Sequence, residues 1–171
     1  MIRPIIFLDV DGVLNNEEFF KNRLTSSSSD SWSKRYICPI LLGRLNNIII
    51  ETFARVVFSS SHRFNWETEK EMIENLKEAG VVGDIIGRTP RLRFDSELDY
   101  KYSVPRGCEI KAWIELNKGI LGDKVSKFKY VILDDDSDML YWQRNNFVQT
   151  DGQLGLTEEN VKQAIKILNG E

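Results

Sequence analysis

The sequence predicts an α/β protein, a mostly parallel sheet with helices on both faces. Two observations carry that prediction. Short apolar runs rich in β-branched residues end abruptly in carboxylates or serines, as in Phe7-Leu8-Asp9-Val10-Asp11 and Val131-Ile132-Leu133-Asp134-Asp135. Such runs read as strands buried on both faces. Between them lie amphipathic stretches of helical length, and strand–helix alternation implies parallel strands joined by crossovers. The length of 171 residues suits one domain, 1–171, with its own core.

Taken in order, Ile5 to Val10 reads as the first strand. A polar stretch follows, near 15–36, with Ser26 to Ser29 in a run and Lys21, Arg23, Lys34 and Arg35 around it; it reads as a loop or flap-like insertion. Pro39 suits the first turn of a helix to about Thr52. Arg55 to Phe58 is the second strand and runs into Ser59-Ser60-Ser61-His62-Arg63. Glu67 to Ala79 is a charged amphipathic helix with Gly80 as its C-terminal cap. Ile85-Ile86 reads as a short strand, followed by a polar loop near 88–105 that mixes Arg88, Arg91 and Arg93 with Phe94, Tyr100 and Tyr102. Gly107 to Asn117 is a helix and Lys129 to Leu133 the strand that delivers the second acid cluster. A short helix over Met139 to Arg144, a last strand over Phe147 to Thr150, and a final helix capped by Thr157 complete the chain.

The acids Asp9, Asp11, Asp134 and Asp135 thus fall at the carboxyl ends of strands, where open α/β sheets bind ligands. Converging carboxylates repel one another unless a cation neutralises them, and hard oxygen donors suit Mg²⁺. The pattern points to metal-assisted chemistry on a phosphate. The net charge of −3 provides no global basic field for nucleic acid. Cys38 and Cys108 have no metal-ligand spacing and read as buried, reduced thiols. No apolar run is long enough to span a bilayer, and the chain enters its first strand almost at once, so no membrane association and a cytoplasmic location are expected.

Four features stand in order along the chain. They are Asp9-Val10-Asp11-Gly12-Val13, Ser59 after an apolar run, Arg106 at the head of a helix, and Asp134-Asp135 with Asp138 beyond. Together they resemble the four motifs of the haloacid dehalogenase (HAD) superfamily of phosphatases. The resemblance implies a Rossmann-like HAD fold with a small or absent cap. It implies Asp9 as the nucleophile that forms an aspartyl-phosphate, and Asp11 as general acid and then base. Ser59 would hydrogen-bond the transferring phosphoryl group, with Ser60 and Ser61 as alternatives. Arg106 would hold phosphate oxygens, with Lys111 as second candidate. Gly12 would turn the backbone and present N–H groups to a phosphoryl oxygen. Asp9, Asp11, Asp134 and Asp135 are the candidate Mg²⁺ carboxylates, and Asp138 a further ligand or acceptor. Arg63 would contact substrate phosphate, and His62 reads as an oriented loop residue beside the site.

The segment Ser103 to Trp113 with Val131 to Asp135 is similar to the phosphatase half of polynucleotide kinase–phosphatases. It is closer still to the HAD domains of multi-domain RNA-repair proteins, although His62 stands where tryptophan is expected in a Ser-Ser-Trp-Arg type of segment. No Gly-x-x-x-x-Gly-Lys-[Ser/Thr] phosphate loop is present, so the chain carries no kinase motif of that type. The expected partner is a phosphorylated nucleotide or nucleic-acid end. A phosphatase for small metabolites and a catalytically silent phosphate- or partner-binding module are the alternatives. The four tryptophans read as packing residues, except Trp32, which the flap would offer to a ligand base.

Overall fold

Among the described residues, five parallel strands form one sheet in the order β3-β2-β1-β4-β5. They are β1 (Ile5–Leu8), β2 (Arg55–Phe58), β3 (Ile85–Arg88), β4 (Tyr130–Asp134) and β5 (Phe147–Gln149). The computed structural model describes residues 2–22, 30–92, 104–121 and 128–171. Most of the arginine–aromatic loop, including Arg93, Phe94, Tyr100 and Tyr102, and the serine run lie outside the described residues.

The two sides of the sheet follow from the period-two alternation of strand side chains. Ile6, Leu8, Val56, Phe58, Val131 and Leu133 face the larger core, built with α3 (Pro39–Thr52), α4 (Glu69–Ala79) and α7 (Glu158–Asn169). Ile5, Phe7, Val57 and Ile132 face the smaller one, where Ile110 and Trp113 of α5 (Arg106–Leu116) close the layer, and a single turn, α6 (Lys118–Leu121), follows α5. Both faces of every central strand are dry, which is why these strands read as continuous apolar runs.

Local chemistry sets the helix ends. Thr68 caps α4 by accepting from the Glu71 N–H at 3.1 Å, so the helix begins two residues after the expected Glu67. Gly80 ends it in the left-handed conformation, φ 106°. Thr157 and Asn160 cap α7 reciprocally. The insertion near 15–36 corrects the loop reading. It carries α1 (Glu17–Asn22) and α2 (Trp32–Tyr36). Ser31 caps α2 through the Lys34 N–H, and the helix is anchored by Trp32, which is buried against Phe58 and Trp66. The expected helix near 139–144 is instead a 3₁₀ turn over Tyr141–Asn146. Cys38 and Cys108 are free thiols, half-buried rather than buried. No helix among the described residues is long and apolar enough to cross a membrane.

Candidate active site

Sheet register brings the motif residues together. Leu8 pairs with Phe58 on one side and Leu133 on the other. The next residues, Ser59, Asp9 and Asp134, therefore emerge side by side at the carboxyl edge. The Asp9 N–H donates to Leu133 O at 3.0 Å and the Ser59 N–H to Leu8 O at 2.8 Å. This edge includes the gap between β1 and β4, where the chain reverses its direction of winding, the usual ligand crevice of such sheets.

One carboxylate oxygen each from Asp9, Asp134 and Asp135 lies within 4.8 Å of the others. Asp9 and Asp134 are buried and Asp135 half-buried. Burial lifts the Asp9 carboxyl to about 6, against the pull of Arg106 and a Ser60 hydrogen bond. Burial and the neighbouring Asp9 charge lift Asp134 to about 8. Asp135 is raised too, chiefly by burial. Three hard oxygen donors that resist ionising together are what a divalent cation would relieve, so the donor set fits Mg²⁺. Asp11, expected among the metal carboxylates, is not one of these three. Its Oδ2 lies 3.1 Å from His62 Nε2, and its Oδ1 accepts from Asn15 Nδ2 at 2.9 Å. Those hydrogen bonds, His62's first, hold the Asp11 carboxyl below its usual range.

Gly12 turns the chain at φ 65°, and a Cβ there would collide with the Asp135 carboxylate. Only glycine satisfies both conditions. Its N–H is not offered to a ligand, contrary to expectation, because it donates to Asn15 Oδ1 at 3.0 Å. Ser59 Oγ is buried and has no hydrogen-bond partner among the described residues. A buried hydroxyl without a partner costs free energy, so this atom is suited to a ligand oxygen. Ser60, fully buried, receives the His62 N–H on its hydroxyl oxygen and bonds Asp9. It therefore supports the Asp9 carboxylate, whereas Ser61 is exposed and opens a 3₁₀ turn.

Arg106 is the first residue of α5, and its Nε stands 3.9 Å from Asp134 Oδ2. Pro105, the residue before the helix, has no side-chain cap, and Asp138 replaces it by accepting the Arg106 N–H at 2.7 Å. Asp138 thus sets the helix end rather than joining the carboxylate cluster. The Arg106 guanidinium is also fixed from behind by Glu109, 2.8 Å away and one turn on. Glu109 is buried and binds Arg63 as well. Arg63 is 1% exposed, and its remaining donors reach Ser59 O, Ser60 O and Thr89 O. It supports the loop and is closed to a substrate, contrary to expectation. Burial and the Arg106 charge lower it to about 10, with Glu109 opposing. Lys111 is likewise not at the carboxylate cluster; its ammonium stands over the Trp142 ring. Trp32 is 7% exposed and engages His62 and the core, leaving no face for a base. Glu109 and Asn15 are the supporting residues that sequence reasoning did not single out; His62, read as an oriented loop residue beside the site, has Asp11 as its partner.

A family model described as the HAD domain in Swiss Army Knife RNA repair proteins matches residues 5–161. The chain belongs to this HAD family. Searches of curated proteins and of solved structures found no match. The matched span includes all four motif positions, and a HAD domain of this kind is consistent with a hydrolase of the phosphatase type.

Proposed function

We propose that this HAD domain is a Mg²⁺-dependent phosphomonoesterase that works through an aspartyl-phosphate and acts on a nucleotide or on the terminal phosphate of a polynucleotide. The observation that carries the reading is the cluster of Asp9, Asp134 and Asp135, set by sheet register beside Arg106 and the unpartnered Ser59 hydroxyl. Asp9, Asp134 and Asp135 would hold the cation. When bound, Mg²⁺ supplies charge neutralisation for the carboxylates and the phosphoryl oxygens.

The chain's own residues do the rest. Asp9 attacks phosphorus as the bond to the leaving oxygen breaks, and Asp11, which must enter this step protonated against the pull of His62 and Asn15, gives that oxygen its proton. Asp11 then takes a proton from the water that attacks the aspartyl-phosphate and releases inorganic phosphate. Ser59 and Arg106 hold the phosphoryl oxygens through both steps, and phosphoryl transfer depends mainly on such positioning and charge.

A polynucleotide end is favoured by the family's description and by an exposed aromatic pair. Tyr141 is 76% and Trp142 60% exposed, with the Arg144 guanidinium 4.2 Å from the first ring centre and Lys111 Nζ 5.4 Å from the second. Gln143 fastens this turn to α5 by donating to Gly107 O at 3.0 Å. The pair therefore flanks the helix end that carries Arg106, where a nucleobase could stack.

The test is phosphate release with Mg²⁺ from 3′- and 5′-phosphorylated oligonucleotides, mononucleotides and sugar phosphates. Release from an oligonucleotide end, abolished by Asp9→Asn, is the expected result. Release from small molecules alone would replace the substrate reading with metabolite phosphatase. Silence across the panel would favour a binding module.

A further inference from the structure

His62 takes no step in the chemistry above, yet it holds one oxygen of Asp11. Its Nε2 lies 3.1 Å from Asp11 Oδ2, and its Nδ1 lies 3.2 Å from Trp32 Nε1 and 3.0 Å from Asn65 Nδ2. The Trp32 contact decides the tautomer. An indole N–H only donates, so Nδ1 must accept and carries no proton, whereas the Asn65 amide could present either end. In the neutral ring the proton then sits on Nε2 and points at the Asp11 carboxylate.

The ring has little freedom to do otherwise. The His62 side chain is 11% exposed and packs against Tyr36, with ring centres 4.4 Å apart, and against Trp32 at 5.7 Å. Asp11's other oxygen is bound by Asn15, whose same amide nitrogen donates to Tyr36 O at 3.1 Å. Both supports of Asp11 therefore lean on α2, the helix that carries Trp32 and Tyr36. The Asp11 side chain is 52% exposed. A carboxylate has about four lone-pair sites, so two hydrogen bonds leave others open to solvent and substrate.

We infer that Trp32 locks His62 as the Nε2–H tautomer and that His62 is a positioning residue which aims Asp11 at the leaving oxygen. This rests on the reading of Asp11 as the acid and base. His62 keeps its proton throughout, and the proton that moves is Asp11's. α2 thus acts on the chemistry through two hydrogen bonds, Trp32 to His62 and His62 to Asp11.

His62 is the chain's single histidine, so the imidazole ¹⁵N spectrum of the whole protein reports one ring. The spectrum of the neutral ring should show the Nε2–H tautomer, and Trp32→Phe, which keeps a ring but loses the donor, should yield a tautomer mixture. His62→Leu should slow an alkyl phosphate such as a mononucleotide by about tenfold to a hundredfold, the scale of a misplaced reacting group. para-Nitrophenyl phosphate, whose leaving group needs little protonation, should slow much less. His62→Gln, which returns an N–H donor, should recover the alkyl rate to within a few-fold. An Nδ1–H tautomer in the wild type, or an unchanged alkyl-to-aryl rate ratio in His62→Leu, overturns the inference. Asp11→Asn separates the two readings: full turnover in that variant removes Asp11's role, and with it the positioning role, while the wild-type spectrum still reports the tautomer lock.

Discussion

Replacing Glu109 with glutamine tests whether Arg106 is held by buried charge. One carboxylate oxygen of Glu109 faces both Arg63 and Arg106, and the other accepts the Leu92 N–H at 3.1 Å. The side chains are 6% exposed for Glu109, 1% for Arg63 and 19% for Arg106, so water screens this triad little. Glutamine keeps the shape and removes one negative charge from between two guanidinium groups. At an effective dielectric near 20 each close pair is worth about 4 kcal/mol before desolvation is counted. Breaking a buried pair by removing one partner costs about 3–5 kcal/mol net. For a chain of this length that corresponds to a fall of roughly 6–20 °C in melting temperature. Urea unfolding of the two proteins should give curves of similar slope with the variant's midpoint displaced downward. The variant's kcat should fall as well, because Arg106 loses the partner that fixes its fork. A stability loss below about 1 kcal/mol, the range of exposed pairs, would refute the reasoning.

Further outcomes follow from the same site. Ser59→Ala removes a buried hydroxyl that has no partner, so stability should hold or rise slightly, whereas phosphoryl transfer should slow by about tenfold to a hundredfold, the worth of one hydrogen bond to a charged group. A variant that loses stability instead would mean the hydroxyl is already bonded. Without metal, the raised carboxyls of Asp9 and Asp134 make the folded state bind protons more tightly than the unfolded chain. Their contribution to stability is present below about pH 4 and is lost as pH rises through about 6 and about 8. Mg²⁺ must displace those protons, so its affinity by calorimetry should climb across the same interval, with proton release near pH 7. An affinity flat in pH over that range would remove Asp9 and Asp134 from the metal set. Trp142→Ala should raise KM for an oligonucleotide end by roughly 5- to 150-fold, the equivalent of about 1–3 kcal/mol of stacking, and leave para-nitrophenyl phosphate unaffected. Equal effects on both substrates would deny it a role in base recognition.

The strands and the site's outline were legible because each rests on a local pattern. β2 and α3 match their sequence readings residue for residue, one an apolar run bounded by serines, the other a helix with proline in its first turn. Asp9, Ser59 and Asp134 were legible because each ends an apolar run, and parallel register then places them together. The partners of Asp11 were not legible, because it lies past the end of the strand. β1 ends at Leu8, and Asp11 already stands in the turn that follows it. Arg63 and Glu109 lie 46 residues apart, and only tertiary packing turns an apparent phosphate ligand into a buried brace. In α2, five residues have too little intrinsic stability to be read from sequence. It exists because Trp32 and Tyr36, one turn apart, pack on the core and on His62. Trp142 was read as packing and is exposed, since composition does not distinguish a buried ring from a surface one.

The central claim is that Asp9 carries the phosphoryl group. The direct measurement is rapid acid quenching during Mg²⁺-supported turnover of the best panel substrate, followed by peptide mapping of the adduct. The account predicts a hydroxylamine-labile phosphoryl group on the peptide that contains Asp9, absent from Asp9→Asn and accumulating in Asp11→Asn to the extent that hydrolysis of the intermediate is slowed more than its formation. Phosphate release with no adduct on Asp9, or an adduct on His62 instead, would contradict it.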